Sequence, residues 1–483
     1  MKIVLKRGQV KGEEKPSERL RVHRDSNPPR SAAGSPKIPK NSAPVMVLGC
    51  CVCLFAGLIW SHPFARAFEP LKGDMSTFDP NHQVFPTSGD TIKVGLLEPF
   101  SGPGALSGEV YWMNLGWVVH DINSQGGILV DGKRKKIQII KGDTQVKPEI
   151  AKKVAERLCL EDQVDVIIGS AGSHITLIGQ GVAAKYHKIY MNWNGFSESL
   201  HDGKNFNRYT FRTCGTSTTL GAALAYYYST RPERKFYILC PDYVAGHGQG
   251  EAFKKYLKQY NPQAQILGED YHPLWTKDFA PYLTKIKGSG AQVIFTGDWD
   301  ADLENLLKQS RQLGINLPLA GPYVDNPRPL ETVGGPAGKG MVVMYFYLSS
   351  FDHPKNNTFN ELWHGQWKTW KKPYDSNIYA WPGSSHGHSV GKSYWLFDVI
   401  RRASSTDPDK IIQVWEGDEY RSVTGAVLKM RACDHQTIQD LYVSQLDFPT
   451  KWYDKAAGYT KAFVVPSRFC MPPIAEDLGR CKK

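Results

Sequence analysis

From Thr91 onward, short β-branched runs alternate with amphipathic stretches, and this switching between period 2 and period 3.6 constrains the fold more than any other feature. The first run, Ile92–Leu97, enters a loop rich in Ser, Gly and Pro that reaches Gly108. A helix over Leu106–Asn123 follows, with Val110, Met113, Trp117 and Val118 on one face. Asn123-Ser-Gln-Gly-Gly127 ends it with residues suited to left-handed backbone. Strand Lys136–Ile140, a helix opened by Pro148 and running to Leu158, strand Val164–Ile168, a helix through Val182–Tyr186 and strand Ile189–Asn192 complete one doubly wound half. After Thr213-Cys-Gly-Thr-Ser217 the cycle restarts with strand Lys235–Leu239 and helix Gln249–Tyr260. Strand Val293–Thr296, helix Ala301–Leu313, strand Met341–Phe346 and helix His388–Ala403 follow.

The expected class is α/β: two doubly wound parallel-sheet lobes joined by a multi-crossover hinge. The first lobe is assigned 91–215 and 341–418, the second 216–340 and 419–448. Residues 68–90 read as a linker and 449–483 as an appended C-terminal tail. In such folds loop N–H groups and helix N-termini converge at the carboxyl ends of the strands, where small ligands bind. Two lobes with several crossovers suit hinge closure over a ligand.

Residues 1–43 are polar, basic and rich in Pro and Ser, a composition that buries too little to fold. Val45–Trp60 is an uncharged run of 16 residues, followed by the A-x-A pattern Ala65-Arg66-Ala67. Residues 1–67 therefore read as a basic n-region plus signal peptide, cleaved after Ala67, with a retained membrane anchor as the alternative. The n-region is long enough to suggest a translational start later than Met1. The formal charge of +12 is concentrated here: twelve Lys/Arg against four Asp/Glu lie in 1–67, leaving about +4 for the rest. That remainder has no basic run or aromatic-interleaved patch, which argues against nucleic acid as a partner.

Three of the nine cysteines (Cys50, Cys51, Cys53) leave with the signal. Six remain, an even number in an exported chain, so disulfides are expected, and Cys470 with Cys481 is the favoured pair. No C-x-x-C is present, which argues against a zinc ribbon or a thioredoxin-like site.

Several segments carry a family resemblance: Phe100-Ser-Gly-Pro103, Asp121-Ile-Asn-Ser-Gln-Gly-Gly127, and Val166-Ile-Ile-Gly169 leading to Ser173. Gly297 to Leu307, Leu313-Gly314 with Gly321-Pro322, and Gly425 to Gln436 add to it. In this order the chain, from Ile92 to about Leu446, resembles an ABC-transporter substrate-binding protein of the branched-chain amino acid (Leu/Ile/Val-binding) type, a type I periplasmic binding protein. The resemblance implies a non-enzymatic, periplasmic protein without cofactor. It would capture a small zwitterionic ligand, an amino acid or related amide or amine, and deliver it to an ABC permease in the inner membrane. A membrane-anchored ligand-sensing ectodomain is the alternative.

The resemblance also nominates residues. Ser173, in the loop Gly169-Ser-Ala-Gly-Ser173, matches the hydroxyl offered to the ligand carboxylate; as an N-cap it would also serve the following helix. Gly195, Phe196 and Ser197 match the segment that supplies a carbonyl and a hydroxyl. In the second lobe Asp302 falls where an acid pairs with the ligand ammonium, and Trp299 is a candidate wall. Asp298 and Asp300 add two carboxylates, more acid than an apolar amino acid needs, and open the prospect of a cationic ligand or a metal. Two positions that often carry an aromatic depart from the pattern: Ser107 in the first lobe and Ala245-Gly246 in the second, where Tyr243 is a nearby substitute. These departures weaken the case for leucine-like specificity.

Other patterns are weaker. Gly383-Ser-Ser-His-Gly387 matches G-x-S-x-G, but Pro382 disfavours the strand a nucleophile elbow needs, so the segment reads as a helix N-terminal turn. His386 and His388 alone make an incomplete metal site. Gly246-His-Gly-Gln-Gly250 lacks dinucleotide spacing.

Overall fold

The computed structural model describes residues 68–481. The signal or anchor segment and its three cysteines lie outside them. Among the described residues no helix is long and apolar enough to cross a membrane.

The chain begins with β1 (Thr91–Glu98), α1 (Ala105–Ser124), β2 (Ile128–Val130), β3 (Lys133–Asp143), α2 (Pro148–Leu160), β4 (Val166–Gly169), α3 (Ser173–Lys185), β5 (Ile189–Asn192) and β6 (Thr210–Arg212). It then builds α4 (Ser217–Ser229), β7 (Lys235–Pro241), α5 (Val244–Tyr260), β8 (Gln265–His272), α6 (Ala280–Ser289), β9 (Val293–Phe295), α7 (Asp300–Gln312), β10 (Leu319–Gly321), α8 (Pro327–Val333), α9 (Gly335–Gly338) and β11 (Val342–Tyr345). After these come α10 (Pro354–Trp367), α11 (Ser384–Ala403), α12 (Pro408–Trp415), β12 (Glu419–Arg421), β13 (Val427–Arg431) and β14 (Gln436–Ile438). The chain closes with β15 (Leu441–Asp447), β16 (Gly458–Tyr459), β17 (Phe463–Val465) and α13 (Ser467–Cys470).

Two sheets result. The first runs β12-β13-β14-β6-β5-β4-β1-β3-β2, the second β16-β15-β11-β10-β9-β7-β8 with β17 also on β15. Both have a parallel centre, with β1 beside β3 and β4 in parallel. The first is antiparallel at both edges. The second is antiparallel only at the β15 side, where β11 meets β15, since edge strand β8 is parallel to β7. The central strands are fully buried runs such as Val166–Gly169, as a sheet covered by helices on both faces requires. In the first lobe α1, α10, α11 and α12 pack Trp117, Trp363, Trp395 and Trp415 into one core.

The expected return of 341–418 to the first lobe and of 419–448 to the second differs from the observed sheets. β11 pairs with β10 in the second sheet, Ala320 opposite Val342, and β14 pairs with β6 in the first, Gln436 opposite Arg212. The chain therefore changes sheet just after β6, just after β11 and between β14 and β15. These three crossovers are tied together: the Gln439 amide donates to the Phe346 carbonyl at 2.9 Å and the Gln436 amide to the Cys214 carbonyl at 2.7 Å. Buried Lys392 of α11 donates to Gln439 in turn.

The C-terminal segment is also more than an appendage. β17 extends β15, and the disulfide joins Cys433 to Cys481, not Cys470 to Cys481. Cys470 is buried and free because α13 presses it into the second-lobe core.

Candidate functional site

A cavity lies between the lobes, at the carboxyl ends of β1, β4, β5, β9 and β10, where an α/β sheet presents loops and helix N-termini. It holds about 50 Å³. By that measure a water occupies about 10–15 Å³, so there is room for a handful of water-sized groups, the scale of one small solute.

The first lobe supplies Leu106, Ser107, Val110 and Tyr111 from one face of α1, Gly172 at the start of α3, and Asn194 after β5. Gly172 has φ +83, a conformation glycine takes without strain, and this turn exposes the first N–H groups of α3. Glu98, at the end of β1, fixes the wall behind. Its buried carboxylate accepts from the Ala171 N–H at 2.8 Å and the Trp193 indole N–H at 2.7 Å. Burial pushes its carboxyl up to about 8. Trp193 stacks on Tyr111 at 4.6 Å between ring centroids.

The second lobe supplies Tyr243, Trp299, Asp300, Tyr323, Asp325 and Asn326. Asp300 starts α7 with φ +45, a left-handed backbone unusual for a residue with a side chain and a strain that concentrates at functional sites. Its Oδ2 reaches across the cleft and accepts from the Ser107 N–H at 3.2 Å and the Ser107 hydroxyl at 3.0 Å. Burial pushes the Asp300 carboxyl up to about 7. Trp299 packs against Val146, Ala171 and Ile175 of the opposite lobe. The turn Gly383–His386, opening α11, closes the cavity, and Asp325 accepts from the Ser384 hydroxyl at 3.1 Å and the Tyr459 hydroxyl at 2.6 Å.

Of the residues nominated from the sequence, Ser107, Tyr243 and Trp299 line this cavity. Ser173, Gly195, Phe196 and Ser197 stand one layer behind it. The Ser173 hydroxyl accepts from the Phe196 and Ser197 N–H groups, both at 3.1 Å, and so clamps the β5 loop to α3. Gly195 permits that approach, since a Cβ there would stand 2.6 Å from the Thr176 hydroxyl oxygen. Phe196 stacks on Phe346, and Ser197 accepts from the Ser199 N–H at 3.3 Å. The positions that face the cavity are their neighbours Gly172 and Asn194.

Asp302 is likewise turned away. It is fully buried and its Oδ2 accepts from the Trp275 N–H at 2.9 Å. Asp298 pairs with His272 at 2.8 Å; burial would lower this imidazole, but the carboxylate prevails and holds it at about 9. The three-carboxylate cluster thus divides into an ion pair, a backbone clamp and one group, Asp300, that faces the cleft. Among the described residues no group of His, Cys, Asp and Glu could hold a metal ion. Tyr111, Tyr323 and Asp325, which also line the cavity, were not singled out from the sequence, where nothing in the local pattern sets them apart from core or loop residues. The Gly383–Gly387 motif is a helix N-terminal turn, as Pro382 implied, and it contributes to the cavity.

Comparison with known proteins agrees with this architecture. The family described as periplasmic binding protein matches residues 91–455. A leucine-specific-binding protein of Salmonella typhimurium is 24% identical over 339 residues, 70% of this chain and 89% of that protein. An amino acid binding protein of Pseudomonas aeruginosa is 26% identical over 257 residues, 53% of this chain and 67% of its own length. Among solved structures, a Leu, Ile, Val, Thr and Ala-binding protein from Brucella ovis in a closed conformation superposes with a TM-score of 0.68 at 19% identity, covering 80% of this chain and 98% of that one. An ABC-transporter solute-binding protein from Rhodopseudomonas palustris, in complex with 3,4-dihydroxybenzoic acid, gives a TM-score of 0.67 at 21% identity, covering 78% and 98%.

Proposed function

The chain belongs to the periplasmic binding protein family, a family of solute-binding proteins and not of enzymes, and on that premise we propose that it captures a small amine-bearing solute between its lobes for delivery to an ABC permease. Asp300 is the observation that carries this reading. It is a carboxylate facing the cavity between the lobes, Asp325 lies nearby, and among the described residues no Lys or Arg lines the same space. An ammonium group satisfies such a site, whereas a carboxylate would enter it against two buried acids.

The loop N–H groups at Gly172 and the Asn194 amide are available to a second, anionic or polar end of the ligand. An amino acid, amino amide or small amine fits that pairing. Contacts from both lobes would draw the equilibrium toward closure, which is how such a protein couples capture to shape. Membership of the family supports a location outside the cytoplasm, where a permease would receive the ligand.

A second reading has one observation in its favour. The rings of Tyr111, Tyr243, Trp299 and Tyr323 line the cavity, and the Rhodopseudomonas palustris relative is in complex with a dihydroxybenzoic acid. Thermal shift of the protein without its first 67 residues separates the two. A ligand at 100 times its Kd stabilises by about 2.7 kcal/mol. A rise with amino acids, amino amides or amines and none with hydroxybenzoates supports the amine reading. A rise with hydroxybenzoates alone replaces it.

A further inference from the structure

The cavity combines two kinds of lining group that one cation can satisfy together. Asp300 and Asp325 are 6% and 4% exposed, and among the described residues no lysine or arginine lines the space beside them. Tyr111, Tyr243, Trp299 and Tyr323 bring their rings to the same walls, and Leu106 and Val110 add aliphatic surface. Packing holds these rings in place. Tyr111 stacks on Trp193, Trp299 meets Trp275 edge to face at 4.9 Å between centroids, and Tyr323 packs against Tyr345 at 5.9 Å.

The two carboxylates bring charge but few free acceptor positions. Both oxygens of Asp325 are engaged, Oδ1 by the Ser384 hydroxyl and Oδ2 by the Ser384 N–H and the Tyr459 hydroxyl. Oδ2 of Asp300 accepts the N–H and the hydroxyl of Ser107, which leaves Oδ1. A primary ammonium carries three N–H donors, and a donor taken out of water without an acceptor is costly. A fully methylated ammonium carries none. It is attracted to a carboxylate without a hydrogen bond and to the negative face of an aromatic ring. Its methyl groups gain by leaving water for ring and aliphatic surface.

We propose that the solute taken by this cavity carries a quaternary, methylated ammonium group, held by the charge of Asp300 and Asp325 and by the rings of Tyr111, Tyr243, Trp299 and Tyr323. The assignment rests on the reading of this cavity as the amine site and narrows it to one class of cation. It also gives the four rings a use on that reading, so that they do not require an aromatic acid.

Isothermal titration with matched pairs is the test: glycine against N,N,N-trimethylglycine and ethanolamine against choline, with leucine as a larger primary amine. Within each pair the only change is methyl for hydrogen on the nitrogen. The better of the two methylated probes is expected to bind about tenfold or more tighter than glycine, ethanolamine and leucine. Tyr243→Leu and Tyr323→Leu each remove a ring and keep apolar bulk, and each should cut the methylated-over-primary ratio by about threefold or more. Tyr243→Phe keeps the ring and should keep the ratio. If a primary amine binds within tenfold of the better methylated probe, the amine site stands and this assignment falls. Folded Tyr243→Leu and Tyr323→Leu variants that both retain the wild-type ratio overturn it as well, and the wild-type pairs decide alone if those variants do not fold. If none of the five probes binds, the amine reading itself fails and takes this inference with it.

Discussion

At the scale of single residues the site turns on which carboxylate faces the ligand. The sequence pattern pointed to Asp302, because spacing along an aligned segment cannot register the left-handed turn at Asp300 that rotates the helix start toward the cleft. Asp300→Asn is expected to weaken binding of an amine ligand by about a hundredfold, consistent with truncating one partner of a buried charge pair. Asp302→Asn, altering a backbone clamp, is expected to lower the Tm while leaving the affinity within a few-fold; titration of both variants checks the contrast. The pH dependence has a definite sign. The Asp300 carboxyl is raised to about 7 from an ordinary value of 3.8, so the folded protein holds this proton more tightly than the unfolded chain. Its contribution to stability is fully present below about pH 4 and is lost as pH rises to about 7. Affinity for an ammonium ligand moves oppositely, growing as Asp300 ionises between pH 6 and 8. Asp300→Asn should flatten that rise in affinity, and a variant that keeps the wild-type slope would assign the titration to another group. Ser173 was legible as a residue of the loop that enters α3, yet its hydroxyl is occupied by two backbone N–H groups, a partnership set by tertiary contact.

Elements were more legible than residues, for a physical reason. Strand and helix periodicities are local, so β5 at Ile189–Asn192 and the start of α2 at Pro148 follow directly from the pattern. Sheet membership is not local. β11 and β14 read as strands whichever sheet they join, and only their pairing with β10 and β6 reveals that the chain crosses between lobes after β11 and again after β14. The same limit applies to the disulfide. Nearness in sequence favoured Cys470 with Cys481, whereas folding brings Cys433 in the β13–β14 turn to Cys481 across 48 residues. A loop of that length is worth about 4 kcal/mol in the chain-entropy account, within the wide range of measured disulfides. Replacing both cysteines by serine should therefore lower the Tm by several degrees and expose the segment after β17 to proteolysis. Ligand affinity should stay unchanged, because no residue of that segment lines the cavity. A drop in affinity at intact fold would mean that the tail communicates with the cleft.

For the whole molecule the question is what holds the lobes together. Several polar contacts join the lobes at the cavity: Ser107 with Asp300, Ser384 with Asp325 and Tyr323 with Asn194. A further one joins Glu109 of α1 to Arg328 of α8 at 3.0 Å, with the Tyr379 hydroxyl donating to the same carboxylate. Arg328 is about two-fifths exposed and lines no part of the cavity, so its pairing biases closure without touching a ligand. A pair this exposed is worth about 0–1 kcal/mol, which corresponds to at most a fivefold change in the ratio of open to closed protein. Arg328→Ala should therefore increase the radius of gyration of the ligand-free protein in X-ray scattering. If capture requires the open form, association should accelerate by up to about fivefold as well. Because the bound state loses the same pair, dissociation should accelerate too, leaving affinity slightly weaker. Glu109→Gln should reproduce the effect, and the double variant should add little, as expected for two partners in one contact. High salt should mimic both by screening the pair. Unchanged kinetics in either variant would leave the other contacts at the cavity, the Trp299 packing and the crossover network to set the closed state by themselves.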